Sequence, residues 1–275
     1  MIIRKTNNHK SFNKSLQITH SEENAISTGL KELDNIIMLD DSDNGKLITL
    51  ASRPGMGKTT LALQIALNVA TSSEKEVLFY SLELSEKQVY YRIDGMIKSY
   101  SKSSEKCASN KSRIIVDDTA ELASSAIAER INGNADKPAL VVIDYFQLMC
   151  PFIKKPFSKK LKKSKKAKLL QTTSELSEIS KKLNIPILVL SQLPRYIEGR
   201  KNKRPKISDL NIAEKSDIVI MLYRDNYYSN VYNENSKSDK SELIVAKNRF
   251  GKCGTIEFKF NGDLFLEEQR KNIVL

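Results

Sequence analysis

Lys58 and Thr59 sit near the end of the string SRPGMGKTT (residues 52–60), and an ammonium beside a hydroxyl at that spacing suits phosphate and magnesium. Such a loop needs a strand before it, a tight turn with accessible backbone N–H groups, and a helix whose N-terminus faces the anion. LITLA supplies the strand, SRPGMG the turn and KTTLALQIALNVA the helix. Gly57 lets the backbone approach the phosphates, Lys58 would reach the β- and γ-phosphates of ATP, and Thr59 would ligate Mg2+ through its hydroxyl. The expected nucleotide cradle is therefore Ser52, Arg53, Pro54, Gly55, Met56, Gly57, Lys58, Thr59 and Thr60. Ser52 stands where the usual pattern opens with glycine, and it is small enough to make the first turn.

Two acids and an amide could complete the site. Asp144 ends the apolar run ALVVID, the Walker B arrangement that holds the magnesium shell. Glu83 follows the run VLFYSL, where a carboxylate could orient and deprotonate an attacking water; solvated strand-end acids look the same. Gln192 ends the run in VLSQL, placed either to contact a γ-phosphate or simply to terminate a strand.

Near-continuous apolar runs at 46–51, 76–83, 113–116, 139–144, 185–192 and 217–223 predict strands buried on both faces of a parallel sheet. Helical patterns at 58–70, 85–98, 119–131 and 169–183 alternate with them. The expected fold is α/β, a mostly parallel central sheet with helices on both faces. SELIVAKNR and GTIEFKF, joined through FGKCG, add an antiparallel hairpin near the C-terminus. Residues 1–24 are polar and basic and predict an arm or linker ahead of a domain spanning 25–275. The segment 153–168 carries nine lysines and no acid, which predicts a loop; RYIEGRKNKRPK (195–206) is a second, weaker basic stretch.

The formal net charge of +12 favours an anionic partner, nucleic acid first. Three scattered cysteines and two histidines leave no zinc spacing and no histidine-dependent nucleophile. No apolar run is long enough to span a bilayer and the N-terminus has no signal-peptide core, so no membrane partner and a cytoplasmic location are expected.

SRPGMGKTT, FYSLELS, VVIDYFQLM, LNIPILVLSQLPR, KRPKISDL, IVIMLYRDNYY and IVAKNRFGKCGTIEF occur in the order found in DnaB-type replicative DNA helicases. The chain resembles their RecA-like motor domain over about residues 25–265, and a small non-glycine residue opens that family's loop, as Ser52 does here. The resemblance implies a RecA-like P-loop NTPase that hydrolyses ATP with Mg2+, moves on single-stranded DNA and unwinds duplex during replication. It implies Lys58 and Thr59 on phosphates and magnesium, Glu83 as the catalytic glutamate, Asp144 as the Walker B aspartate and Gln192 as the γ-phosphate sensor. Lys247 and Arg249 in AKNRFG match the family's pair that reaches into a neighbouring subunit's ATP site. A homo-hexamer follows by resemblance, with a helicase loader or other replication proteins as partners.

Two departures qualify that expectation. The chain has room for only a short arm ahead of the motor, so coupling to primase in the family manner is not expected. NIAEK also replaces the family's longer DNA-contacting loop, which places that contact in doubt and leaves the lysine run as a substitute. A recombination or repair ATPase of RecA type, or an ATP-binding accessory factor without productive unwinding, would use the same core.

Overall fold

The computed structural model describes residues 25–37, 39–40, 45–102, 113–119, 122–133, 136–149, 159–227 and 240–267. The N-terminal arm and residues 153–158 of the lysine run lie outside these. No helix of the described residues is long and apolar enough to cross a membrane.

A nine-stranded sheet forms the centre. Its parallel part comprises β3 (Leu47–Ser52), β4 (Val77–Ser81), β5 (Ile114–Asp117), β6 (Leu140–Asp144), β7 (Ile187–Gln192) and β8 (Ile218–Arg224). Three antiparallel strands extend it: β9 (Lys240–Asn248), β10 (Gly254–Phe260) and β11 (Phe265–Glu267). The order across the sheet is β11-β10-β9-β8-β3-β7-β6-β4-β5. A small separate pair, β1 (Ala25–Ile26) and β2 (Leu39–Asp40), flanks the helix α1 (Lys31–Ile37).

The apolar runs become strands because both their faces are covered. Every residue of β3, β4 and β6 is buried, whereas β9 and β10 alternate between buried and more exposed positions. On β6, Leu140 and Val142 join one core while Val141 and Ile143 join the other, as the two-residue strand period requires. The first core packs around α2 (Lys58–Ser73) and α3 (Glu86–Lys102), and the second receives Ile127 of α4 (Ser124–Gly133) and Leu176 of α5 (Lys159–Leu183). Helix α2 is buried along most of its length, which fits its Leu/Ala/Val-rich sequence.

The lysine run departs from expectation. Residues 159–168, read as loop from their charge, form the first turns of α5. Lysine is a good helix former, and like charges on one helix face cost only about 0.2–0.5 kcal/mol per pair. No glycine or proline interrupts 159–183, and Leu169 and Leu176 anchor the helix in the core, so it propagates into the basic segment. Helix α4 also begins at Ser124, later than the pattern from 119 predicts.

Candidate active site

Strand β3 lies between β7 and β8, and the loop leaving its C-terminal end turns into α2. Two glycines make the turn. Gly55 has φ 78°, and a Cβ there would lie 2.6 Å from the Tyr227 hydroxyl; Gly57 has φ 95°, with the Phe265 ring 3.0 Å from where a Cβ would stand. Both combine left-handed backbone with close neighbours, which only glycine satisfies without strain. The first N–H groups of the 16-residue α2 have no partner within the helix, so its start presents donors and the positive end of the dipole.

Asp144 organises the chemistry. It is fully buried at the end of β6, accepts a bond from Thr59 Oγ1 at 2.6 Å, and pairs with Lys58 Nζ at 3.2 Å. Lys58 is itself only 7% exposed and stands 5.4 Å above the Tyr145 ring. One carboxylate thus fixes both the cation and the hydroxyl. Burial pushes the Tyr145 phenol up from its ordinary value, with the Glu83 and Asp144 carboxylates adding to the effect.

Lys58 and Thr59 open onto a cleft of about 310 Å3, lined also by Pro54, Gly55, Gly57 and Thr60, while Asp144 is fully buried beside them. Glu83, just after β4, and Gln192, at the end of β7, line the same cleft. Strand β4 stops at Ser81, so Glu83 is an exposed residue of the turn leading into α3 and not the strand terminus the pattern predicts. Gln192 ends β7, paired with Ser52.

Three residues of the expected cradle serve differently. Ser52 is fully buried as the last residue of β3; its hydroxyl bonds the Arg53 carbonyl at 2.9 Å, and its own carbonyl accepts the Leu193 N–H at 2.9 Å. Met56, 1% exposed, anchors the loop in the core. A small residue is required at 52 by sheet packing, and an apolar one at 56 by the core, so neither side chain faces the cleft. Arg53 does line the cleft, but its guanidinium is committed to the chain after β7. It donates to Glu198 Oε1 from Nε at 2.9 Å and from Nη2 at 2.7 Å, and to the Leu193 carbonyl at 2.6 Å.

Lys247 and Arg249 lie at the other edge of the sheet. Asp217, just before β8, bonds both ways with Leu47 at the start of β3. Arg249 Nη1 donates to Asp217 Oδ1 at 2.6 Å, while its side chain is half exposed. Six residues of β3, at about 3.3 Å per residue, put roughly 16 Å between that edge and the phosphate loop. Lys247 gives three bonds to backbone carbonyls, to Ala213 at 2.8 Å, Glu214 at 3.0 Å and Ser216 at 2.6 Å. Burial lowers its pKa, the nearby Arg249 lowers it further, and Asp217 and Glu214 pull the other way.

Four neighbours of the site escape motif reading. Tyr145 follows Asp144 directly and Gln147 lies in the 3-10 turn Phe146–Met149 just beyond, and their closeness to that aspartate is the available signal. Gln147 holds the end of β7, donating from Nε2 to Ser191 Oγ at 2.9 Å and to the Gln192 carbonyl at 3.1 Å. Arg92 of α3 and Phe260 of β10 line the cleft but carry no sequence pattern.

A phosphate loop at the carboxyl edge of a parallel sheet, with a buried acid on the next-but-one strand, defines a RecA-like P-loop NTPase core. One solved structure, described by its title as an ATPase domain, superposes with a TM-score of 0.68 at 27% identity, covering 89% of this chain and 91% of that one. A second, titled "The Structure Of A DnaB-Like Replicative Helicase And Its Interactions With Primase", gives 0.70 at 26% identity, covering 89% and 62%. The chain belongs to the DnaB-like helicase C-terminal domain family, whose model matches residues 25–266. Among curated relatives it is 36% identical to a probable replicative DNA helicase of Trieres chinensis over 86% of this chain and 56% of that protein. It is 31% identical to the replicative DNA helicase DnaB of Geobacillus stearothermophilus over 90% and 57%. The chain therefore spans just over half the length of the curated relatives it matches.

Proposed function

We propose that this chain is an ATP-hydrolysing motor that translocates on single-stranded DNA and unwinds duplex during replication. The observation that carries the reading is the split of its chemistry between two sheet edges. The cleft edge holds Lys58, Thr59, Asp144, Glu83 and Gln192; the other edge carries Arg249, too far away to serve the same cleft.

Within one chain, Lys58 binds the β- and γ-phosphates, and Glu83 accepts a proton from the attacking water. Thr59 Oγ1 and Asp144 Oδ2, already 2.6 Å apart, form an all-oxygen pair suited to Mg2+. When bound, that ion offsets phosphate charge. Gln192 sits where loss of a γ-phosphate alters its contacts, and Gln147 and the Arg53–Glu198 pair join that strand end to its surroundings. Arg249 offsets charge on the transferred phosphoryl group of a neighbouring chain, an effect worth about 10³–10⁵ in rate for such fingers. A head-to-tail ring, a homo-hexamer by family, follows from that heterologous contact. A helicase loader or other replication proteins are its further partners.

The test is ATP turnover with and without single-stranded DNA, beside the assembly mass measured with nucleotide. Stimulation by DNA in a ring-sized assembly is expected; turnover indifferent to DNA, in a species that stays monomeric under every condition, would overturn the reading.

A further inference from the structure

The basic stretch after β7 contains one aromatic side chain that the motor chemistry leaves unused. Tyr196 is 58% exposed, yet its ring is held in place. Its hydroxyl donates to Asp209 Oδ1 at 2.9 Å, and the Arg200 guanidinium lies 5.2 Å from the ring centroid. Arg200 is in turn fixed by Asp209, donating to Oδ2 at 3.0 Å and also to Oδ1. Asp209 is 3% exposed and additionally accepts the Lys206 N–H at 2.8 Å, so the anchor is itself rigid.

A tyrosine pinned at its hydroxyl and faced by an arginine presents a fixed π-surface. Exposed cations share its basic stretch: the Arg195 side chain is 88% exposed, and Lys201 and Lys206 are exposed. The turn that carries it, Arg195–Gly199, follows the sensor strand directly and is held to the phosphate loop through Glu198 and Arg53. Asp209 also lines a cavity of about 250 Å3 together with Gln192 and with Lys166 of the basic helix α5.

We infer that Tyr196 is a base-stacking platform for single-stranded DNA, with Arg195, Lys201 and Lys206 holding the flanking phosphates. The inference rests on the reading of the chain as a motor on single strands, and it adds a contact to the bases themselves. A fixed aromatic face accepts any base, because every base has a π-face, so the contact grips without reading sequence. An arginine beside the ring adds cation–π attraction to the stack.

The experiment compares binding of an oligothymidylate and of an abasic oligonucleotide of equal length to the wild-type chain and to Tyr196→Ala. Wild type should prefer the oligothymidylate. Tyr196→Ala should lose about 5- to 150-fold on it and little on the abasic strand. The slope of log K against log salt should stay unchanged, because every phosphate-binding cation is retained. Equal losses on both strands, a flattened slope, or no loss would overturn the inference and leave the motor reading standing. Failure of wild type to bind either strand would overturn both. Tyr196→Trp guards against an unfolded alanine variant. The chain has no tryptophan, so the new indole is a unique reporter. Quenching by the oligothymidylate and not by the abasic strand is expected; fluorescence indifferent to both while they bind would overturn the inference.

Discussion

Asp144 holds Lys58 at 3.2 Å and Thr59 at 2.6 Å, so one buried carboxylate ties the buried lysine and the half-buried threonine into a single unit. Removing one partner of a buried pair leaves the other uncompensated. Lys58→Ala should therefore abolish turnover, by on the order of 10²–10³-fold or more, and weaken nucleotide binding. Glu83, exposed in the turn after β4, has no such structural tie to Asp144. Glu83→Gln should keep nucleotide binding and lose about 10²–10⁴ in kcat. A Glu83→Gln chain with wild-type kcat would assign the base elsewhere.

Lys247 caps three carbonyls of the loop 213–216, so part of its role is structural. Lys247→Met keeps the stem and removes the donors, which should cost about 1–3 kcal/mol. For a domain of this size the melting temperature should fall by about 2–4 °C per kcal/mol. An unchanged Tm would mean those bonds contribute nothing and that the ammonium acts only toward a neighbour.

Burial alone would raise the pKa of Asp209, but Arg200, the Lys206 N–H and the Tyr196 hydroxyl together outweigh it and hold the carboxyl below the ordinary 3.8. A carboxylate with a depressed folded pKa stabilises fully above its unfolded value and loses that contribution as pH falls through the folded one. The stability gap between wild type and Asp209→Asn should thus be constant from neutral pH down to 3.8 and close only below it. Urea titrations of both chains across that range check this; a gap closing near pH 6 would contradict it.

The lysines at the start of α5 should act on DNA through charge alone. Replacing those at 159, 160, 162 and 163 with glutamine should flatten the salt dependence of single-strand binding, by about 0.7 in slope for each phosphate no longer neutralised. An unchanged slope would leave those lysines to solvent.

What the chain discloses before folding depends on whether a feature is local. The parallel strands are legible because burial on two faces demands runs such as ALVVID, and the hairpin strands because burial on one face imposes alternation. Lys58, Thr59 and Asp144 are legible because each sits at a strand end or helix start that its own segment announces. The Arg53–Glu198 clamp spans 145 residues of sequence, and neither residue carries a mark of the other. The start of α5 is masked by charge, since nine lysines read as loop when the anchoring Leu169 and Leu176 are left out. That the side chains of Ser52 and Met56 pack inward is not legible, because motif spacing does not say which side of the turn a side chain takes.

The central claim, that one chain's cleft is completed by another chain's Arg249, is tested most directly by mixing inactive variants. Lys58→Ala lacks a working cleft but keeps its finger, and Arg249→Ala keeps its cleft but lacks the finger. With subunit exchange confirmed by mass, the mixture should hydrolyse ATP at a clear fraction of the wild-type rate, although each chain alone is inactive. A mixture as inactive as its components, or an Arg249→Ala chain that hydrolyses ATP normally by itself, would contradict the shared site.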